Sequence, residues 1–350
     1  MAAAGALASR ALTAQTARRR PQRVAVIGVG HYHAFSPPNY LRILQTEKTG
    51  IVGVHDPDSA IAAKYAAQVG SAPYTDYRAM IEKTKPEFVI ALGHHAAMPA
   101  PFRYLVDTGI PFLMEKPWGV DDATVRQLAD LAENKKAWVA MPMPFRYSWW
   151  AETAKRMRER NELGVISHIH FRFDQPGIQR YIDSGSSWIL SKKEAGGGAL
   201  LNLGIHGFDV CRYITGEEPA VISAATSHRL HKQEVEDYAH VTMRTPRGVV
   251  CVNEASYTYP TNGSDQERQV AAEKAVLIAV TAGGEGVRVV APGRDEIVRA
   301  AETYIAGWPG VVHDCLDRVG RGDPPQTTAR DCARAVTLVF DSYRMAGETS

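Results

Sequence analysis

Short apolar runs alternate with helical segments through residues 23–145, and this alternation restricts the fold more than any other feature of the sequence. Strands that are separated by helices pair in parallel, and the helices then cover both faces of the sheet. Runs that are largely apolar, without strict alternation, are typical of strands buried on both faces. Residues 23–145 are therefore predicted to form an α/β domain. The predicted strands are Arg23–Gly28, Ile51–His55, Phe88–Leu92, Phe112–Met114 and Trp138–Met141.

The spacing of the strands changes beyond about residue 145. After a predicted helix at Ala151–Glu162, strand-like segments follow one another closely, which favours a largely antiparallel sheet in an α+β domain over residues 146–350. In the first segment Ile169 and Phe171 share one face, so this face is expected to pack on helices. The predicted elements are Ile166–Phe173, Val221–His228, Tyr238–Thr245, Gly248–Tyr257, Lys274–Thr281, Val287–Ala291 and a closing helix, Ala329–Met345, capped by Thr328 and Asp331.

Composition excludes several classes of partner. A formal net charge of +2 in 350 residues argues against nucleic acid and anionic membranes as obligatory partners. No window approaches 18 consecutive apolar residues, so no membrane span is predicted and a cytoplasmic protein is expected. The four cysteines are far apart, which favours buried thiols in a reducing compartment over a disulfide framework or zinc site; no metal is expected. Residues 1–22, rich in Ala, Thr and Arg, are expected to be a disordered extension, with a transit-like leader as the alternative.

A glycine loop follows the first predicted strand. Gly28-Val29-Gly30 permits a tight turn and close approach of the backbone to a pyrophosphate, and His31 and His33 continue the loop. The third glycine of the usual fingerprint is replaced by His33. Asp56 ends the second strand, where a ribose hydroxyl would be bound, and it would repel a 2′-phosphate. The loop therefore predicts a dinucleotide site that takes NAD, with NADP less favoured; a plain turn before Pro57 is the alternative role of Asp56.

Two further segments carry reactive side chains. Glu115-Lys116-Pro117 follows the strand Phe112–Met114, at the sheet edge where ligands bind. A glycine run, Gly196–Gly198, leads into a helical segment in which Asn202 and His206 are four residues apart and share a face. His94 and His95 follow the strand Phe88–Leu92, where they either line the nicotinamide cleft or belong to an ordinary loop.

Together these segments resemble the Gfo/Idh/MocA family of oxidoreductases over residues 23–350. The resemblance consists of GxGxxH, the strand-end acid, EKP, a following Arg146, the run GGGxLxxxGxHxxD and the closing helix. It implies a Rossmann domain that binds NAD, followed by an α+β domain whose large, mainly antiparallel open sheet lies beside the nicotinamide. It also implies sugar-like or polyol substrates and a homodimer or homotetramer formed through the second sheet.

The resemblance also assigns roles to residues. Lys116 matches the active-site lysine, which polarises the reacting oxygen or accepts its proton, and Glu115 would position Lys116 or the nicotinamide. His206 matches the general acid/base histidine, and its titration range is expected to suit proton exchange near neutral pH. The family commonly has an aspartate where this chain has Asn202, an amide that can bind a hydroxyl but cannot exchange a proton. Asn202 is therefore predicted to be a substrate ligand.

Aromatic side chains and an arginine are expected at the lip between the domains. Arg146, Tyr147 and Trp188 are interpreted as substrate-binding residues, with interface packing as the alternative for Arg146 and Tyr147. The whole sequence thus predicts an NAD-dependent dehydrogenase or reductase of a sugar-like compound. Two other functions stay open: a glycoside hydrolase that uses NAD transiently, and a non-enzymatic dinucleotide sensor. Retained proton-transfer residues argue against the sensor.

Overall fold

The computed structural model describes residues 19–348 of the chain. Most of the predicted disordered segment, residues 1–22, therefore lies outside the described residues. Arg20 is described, and its guanidinium forms ion pairs with Glu47 and with Asp317, the latter at 2.7 Å. No helix in the described range is long and apolar enough to cross a membrane.

A parallel sheet forms the N-terminal part, as the alternation of strands and helices predicts. In the described range it has six strands in the order β3-β2-β1-β4-β5-β6, all paired in parallel. The strands are β1 (Arg23–Ile27), β2 (Gly50–His55), β3 (Pro73–Tyr74), β4 (Phe88–Ala91), β5 (Phe112–Met114) and β6 (Val139–Ala140). The helices between them are α1 (Tyr40–Thr46), α2 (Ser59–Val69), α3 (Tyr77–Thr84), α4 (Pro99–Thr108) and α5 (Asp122–Asn134).

The strand order reverses at β1, which lies between β2 and β4. The chain leaves β1 toward one side of the sheet and later returns to the other side, and this arrangement opens a crevice beyond the carboxyl ends of β1 and β4. The loops that begin at Gly28, His55 and Leu92 meet there: the Gly28 amide donates to the His55 carbonyl at 2.8 Å. The topology therefore gathers the predicted cofactor residues at one edge.

A second sheet follows, and it is mainly antiparallel. In the described range its eight strands have the order β14-β13-β12-β11-β7-β10-β9-β8, and only the β7–β10 pair is parallel. The strands are β7 (Ile166–Pro176), β8 (Ala220–Ser227), β9 (Tyr238–Arg244), β10 (Val250–Tyr259), β11 (Asp265–Ala272), β12 (Val276–Val280), β13 (Gly286–Ala291) and β14 (Arg294–Arg299). The helices are α6 (Trp149–Glu159), α7 (Gln179–Asp183), α8 (Lys192–Ala195), α9 (Ile205–Thr215), α10 (Gly307–Arg321) and α11 (Ala329–Met345).

The two faces of the second sheet differ as the alternation in β7 predicts. Ile169 and Phe171 are buried in the main hydrophobic core, which also contains Phe208 of α9. His168 and His170 point to the opposite face and are partly exposed. The predicted fold class, a Rossmann domain followed by an α+β domain with a large, mainly antiparallel sheet, is confirmed.

Helix α10 was not anticipated from the sequence, and it connects the two parts. Val312 and Leu316 of α10 belong to the same buried cluster as Val24 and Val26 of β1. The C-terminal part of the chain therefore contributes to the core beneath the first sheet. The division into residues 23–145 and 146–350 stays a prediction.

The cysteines correct one expectation. Cys211 of α9 and Cys251 of β10 form a disulfide, although 40 residues separate them in sequence. They meet because α9 packs across the second sheet, which brings their Cα atoms to 6.7 Å. The expectation of four free thiols is wrong for this pair, whereas Cys315 and Cys332 are buried thiols as predicted.

Candidate active site

The glycine loop after β1 has the backbone that a dinucleotide site requires. Gly28 has φ +76°, and a Cβ there would lie 2.2 Å from the Leu92 carbonyl oxygen, so only glycine fits. A Cβ on Gly30 would lie 2.8 Å from Oδ2 of Asp56. That carboxylate accepts hydrogen bonds from the amides of Gly30 (2.6 Å) and Asp58 (3.1 Å). The loop and the acid that ends β2 are thus in direct contact, and no side chain separates them.

The remaining predicted cofactor residues surround this loop. Val29 is buried, and its amide donates to the His55 carbonyl at 3.1 Å. His31 is also buried and stacks on Tyr32, with 4.6 Å between the ring centroids. His94 and His95 follow β4 and flank Trp188: His94 stacks on its ring at 4.5 Å, and His95 meets it edge-on at 5.0 Å. The structure thus brings the predicted cofactor residues to one edge of the first sheet.

Glu115 is a buried carboxylate at the carboxyl end of β5. Its Oε1 accepts hydrogen bonds from Nδ1 of His33 at 2.8 Å and from the Tyr40 hydroxyl at 2.9 Å. Burial acts to raise the pKa of Glu115, but His33 and then Lys116 lower it to about 2. Burial lowers the pKa of His33 despite Glu115, so His33 is a neutral donor at pH 7. The Oε2 atom of Glu115 has no hydrogen-bond partner among the described residues, which leaves one buried acceptor for a ligand.

Lys116 follows directly and is also buried. Its Nζ donates to the main-chain carbonyl of Asn202 at 2.8 Å and to the side-chain oxygen of the same residue. Both acceptors are neutral, and no carboxylate in the described range lies within ion-pair distance of Nζ. Burial lowers the pKa of Lys116 to about 8, although Glu115 acts to raise it. Lys116 is therefore a cation that can lose its proton close to neutral pH.

Asn202 links Lys116 to two tyrosines. It lies in a π-helical turn, Leu200–Gly204, that precedes α9, a feature often found at functional sites. Its Nδ2 donates to the hydroxyl of Tyr181 at 2.8 Å and to that of Tyr257 at 2.9 Å. With its oxygen on Lys116 and its nitrogen on two phenols, the amide of Asn202 is held in one orientation.

His206 lies one turn further along. Its Nδ1 is 3.3 Å from the sulfur of Met143, and because a thioether can only accept, this nitrogen carries the proton. Burial, and then the proximity of Lys116 and His33, hold the pKa of His206 well below its ordinary value. The expectation that His206 titrates near neutral pH is therefore wrong. The ring is neutral there, with Nε2 as an acceptor.

These residues meet at a cavity of about 600 Å³, the size of a small-molecule site. Lys116, Asn202 and His206 all line it, with His33 from the glycine loop. The predicted catalytic and substrate-binding residues of the EKP and glycine-run segments are thus neighbours in space, although 86 residues separate Lys116 from Asn202. Residues not singled out in the sequence also line this cavity: Tyr32, Gln175, Arg180, Tyr181 and Trp308.

The predicted lip residues lie elsewhere. Arg146 is buried with its guanidinium on Asp209, at 2.8 Å and 2.5 Å, and on Asp331 at 3.3 Å, so no donor group of Arg146 faces the cavity. The Tyr147 hydroxyl donates to Asp314 of α10 at 2.7 Å. For both residues the alternative, interface packing, describes the structure, because carboxylates of later helices occupy their polar groups. Trp188 does not line the cavity either and packs on His94 and His95.

Comparison with known proteins identifies the class. Residues 22–142 match the model described as oxidoreductase family, NAD-binding Rossmann fold, and residues 151–278 match that of the GFO/IDH/MocA C-terminal domain. The N-terminal part of the chain is thus an NAD-binding Rossmann domain of an oxidoreductase family. The chain belongs to the Gfo/Idh/MocA family, as the sequence resemblance predicted.

Individual relatives are distant. The chain is 28% identical to the rhizopine catabolism protein MocA of Rhizobium meliloti over 51% of its own length and 53% of the relative's. It is 27% identical to D-glucoside 3-dehydrogenase of Escherichia coli over 61% and 58% of the two lengths. The chain therefore matches just over half the length of these relatives. An inositol dehydrogenase homologue from Azotobacter vinelandii, solved with NAD⁺, shares the fold with a TM-score of 0.81 at 17% identity, covering 95% and 97% of the two chains.

Proposed function

We propose that this chain is an NAD-dependent dehydrogenase or reductase of a sugar, polyol or related hydroxylated compound, with Lys116 as its proton-transfer group. The observation that carries the proposal is the position of Lys116: a buried amine with a pKa of about 8 that lines the cavity beside Asn202 and His206. A general acid or base is most effective when its pKa lies near the working pH.

The substrate class is supported by the names of relatives. One relative is a D-glucoside 3-dehydrogenase, an enzyme that acts on a sugar derivative. The match covers 58% of that protein, so the particular sugar on which it acts is not assigned to this chain. The cavity of this chain suits a hydroxylated molecule on its own terms, since its wall offers the amine of Lys116, the imidazole of His206 and the phenol of Tyr181.

The residues of the glycine loop fit the cofactor. Gly28 and Gly30 let the loop pack closely against the Leu92 carbonyl and the Asp56 carboxylate, which gives the tight turn that a pyrophosphate-binding loop needs, and Asp56 is the acid that would bind a ribose hydroxyl. Glu115 would offer its unpartnered Oε2 to a donor of the cofactor. When bound, NAD⁺ would supply the hydride acceptor for oxidation, and NADH the hydride donor for reduction.

Lys116 and His206 have different roles in proton transfer. Nε2 of His206 accepts a hydrogen bond from the substrate hydroxyl, but its low pKa prevents the ring from keeping the proton. Neutral Lys116 binds that proton more strongly, and in the opposite direction its ammonium returns it to the oxygen. Asn202 holds Nζ in place with two neutral acceptors, and burial keeps the pKa of Lys116 low.

The test is a panel experiment on the purified protein. The protein is incubated with NAD and a set of sugars, polyols and glycosides while absorbance at 340 nm is followed and products are identified by mass spectrometry. We expect NADH in amounts equal to the oxidised product. Turnover by Lys116→Ala equal to that of the unmodified protein would remove Lys116 from the mechanism.

Two other outcomes identify different functions. Cleavage of a glycoside without accumulation of NADH would make the protein an NAD-dependent glycoside hydrolase. NAD binding with no turnover of any compound would favour the dinucleotide sensor. Both outcomes contradict the proposal.

A further inference from the structure

Arg180, at the start of helix α7, is a cation on the cavity wall that is bonded only to neutral groups. Its NH1 donates to Oε1 of Gln175 at 3.1 Å and its NH2 to the hydroxyl of Tyr181 at 2.9 Å. The guanidinium also lies over the ring of Tyr181, 4.6 Å from the centroid, and near that of Tyr257 at 5.8 Å. The buried Nε has no hydrogen-bond partner among residues 19–348.

Two other enclosed arginines among the described residues have carboxylate partners, whereas Arg268, which does not line the cavity, donates to Gln266. Arg146 contacts Asp209 and Asp331, and Arg212 contacts Glu218 at 2.8 Å. In the described range Arg180 has no carboxylate within 4.0 Å, and neither aspartate nor glutamate lines the cavity. The cavity therefore contains two cations, Lys116 and Arg180, without a negative charge on its wall. Enclosing a charge without a counterion is unfavourable, so an anionic ligand would be stabilised there.

Hydrogen bonds connect Arg180 to the reacting centre. Lys116 donates to Asn202, and Asn202 donates to the Tyr181 hydroxyl, which also accepts from Arg180. A phenol oxygen that accepts two hydrogen bonds keeps its own O–H to donate. In the described part of the chain no acceptor meets that O–H, and Tyr181 lines the cavity. Two kinds of donor, a guanidinium and a phenol, thus converge on one place next to Asn202.

We propose that Arg180 and Tyr181 form a subsite for an anionic substituent, so that the substrate is a sugar or polyol derivative with a carboxylate or phosphate. This inference rests on the proposed function, because it names the substrate of that site. The guanidinium supplies the charge, and its fork of N–H groups matches the oxygens of either anion. A neutral sugar would leave Arg180 without a counterion, whereas an anionic derivative would supply one. The site is therefore expected to prefer the anionic derivative.

The test uses three probes that share one ring: glucose, glucuronate and glucose 6-phosphate. The value of kcat/KM is measured for each with NAD, and the ratio of anionic to neutral substrate is compared among variants. We expect the unmodified protein to prefer an anionic probe and Arg180→Gln to lower that ratio about 10- to 100-fold, the effect of losing a charged hydrogen bond. Arg180→Lys, which keeps the charge, is expected to retain part of the preference. Arg103→Gln, on the exposed face of α4, is the control and is expected to keep the ratio.

Each outcome decides the inference. A larger value for glucuronate assigns the subsite to carboxylates, and a larger value for glucose 6-phosphate assigns it to phosphates. A preference for glucose, or a ratio that Arg180→Gln leaves unchanged, overturns the inference while the dehydrogenase stands. If no probe is oxidised, calorimetric titration of the NAD-loaded protein with glucuronate and glucose 6-phosphate separates the two proposals. Binding of either anion that Arg180→Gln abolishes supports the subsite without the reaction, and equal binding to both proteins rejects it.

Discussion

Two buried groups of charged residues in this protein differ in how completely their charges are matched. The first, the Arg146 cluster, consists of Arg146, Asp209, Arg212 and Asp331. The second, the Lys116 cluster, consists of His33, Glu115 and Lys116. In the Arg146 cluster each arginine contacts at least two carboxylates. In the Lys116 cluster Oε1 of Glu115 accepts hydrogen bonds from His33 and Tyr40. The ammonium of Lys116 donates to the two oxygens of Asn202 and contacts no carboxylate among the described residues.

The pKa values reflect this difference. Although burial acts to lower the pKa of Arg146, Asp209 and Asp331 raise it above its ordinary value, so Arg146 stays charged at every accessible pH. Burial lowers the pKa of Lys116 to about 8, because the opposing effect of Glu115, which does not contact the ammonium, is smaller. A fully matched cluster contributes to holding the chain together, whereas an incompletely matched one titrates near neutral pH. The same kind of residue, a buried cation, thus has two different roles.

Lys116→Met tests the functional side of this comparison and has the largest expected effect. Removing the proton-transfer group is expected to lower kcat about 10²- to 10⁴-fold. The free energy of unfolding, measured in urea, is not expected to fall, because the substitution removes a buried cation that has no carboxylate partner. Lys83→Met, at an exposed position of α3, is the control. If Lys116→Met kept full activity and lowered the free energy of unfolding, Lys116 would have a structural role and not a catalytic one.

Asp209→Asn tests the structural side. It leaves the buried guanidinium of Arg146 without its two shortest hydrogen bonds to a carboxylate. We expect a loss of about 3 kcal/mol in the free energy of unfolding, the low end for a broken buried pair, because Arg146 keeps Asp331. The control is Asp295→Asn, whose exposed pair with Arg288 is expected to contribute nothing measurable. A change in the pH dependence of kcat without a change in stability would contradict this assignment.

The sequence predicts the first sheet more completely than the second. Strands of a buried parallel sheet are apolar runs, and five of the six were located to within a few residues; only the two-residue β3 was not. Strand β14 was not predicted because it lies at the sheet edge with exposed charges, Arg294 to Arg299. The sequence does not predict strand β11 either, because polar residues make up its first half. Pro309 and Gly310 in the first turn of α10 conceal that helix from a propensity argument.

The residues of the candidate site also differ in how well the sequence predicts them. Residues in compact motifs, such as Lys116 and His206, were found because the motif itself indicates the chemistry. Arg180, Tyr181 and Tyr257 lie in segments without a motif. The packing of α7 and β10 around Asn202 brings Arg180 and Tyr181 to the cavity wall and Tyr257 to the amide of Asn202. The one local signal for Arg180 and Tyr181 is composition: an arginine next to a tyrosine on a short helix. The pairing of Arg146 with Asp209 also depends on tertiary contact, which explains its misassignment to the substrate.

Asn202→Asp sharpens the comparison by adding a carboxylate to the Lys116 cluster. A negative charge beside Nζ stabilises the ammonium, so the pKa of Lys116 is expected to rise from about 8 by about 1 unit or more. Oxidation requires the neutral amine, so kcat rises with pH through this pKa, and the rise is expected to move to higher pH. Asn262→Asp, which adds the same charge at the cavity mouth without contacting Lys116, is the control and is expected to give a smaller shift. A pH profile that Asn202→Asp leaves in place would show that Lys116 does not limit the rate.

Tyr257→Phe has the smallest expected effect and separates positioning from proton transfer. It removes one of the two acceptors of Asn202 Nδ2, and Tyr181 remains as the other. We expect a loss of about 1 kcal/mol, or about fivefold in kcat/KM, which is the net value of one neutral hydrogen bond. The midpoint of the pH profile is expected to stay in place, because burial holds the pKa of Tyr257 well above its ordinary value and the phenol remains uncharged. Tyr238→Phe, whose hydroxyl bonds to Glu254 on the outer face of the sheet, is the matched control. A loss as large as that of Lys116→Met, or a shifted midpoint, would mean that Tyr257 itself exchanges the proton and does not only position Asn202.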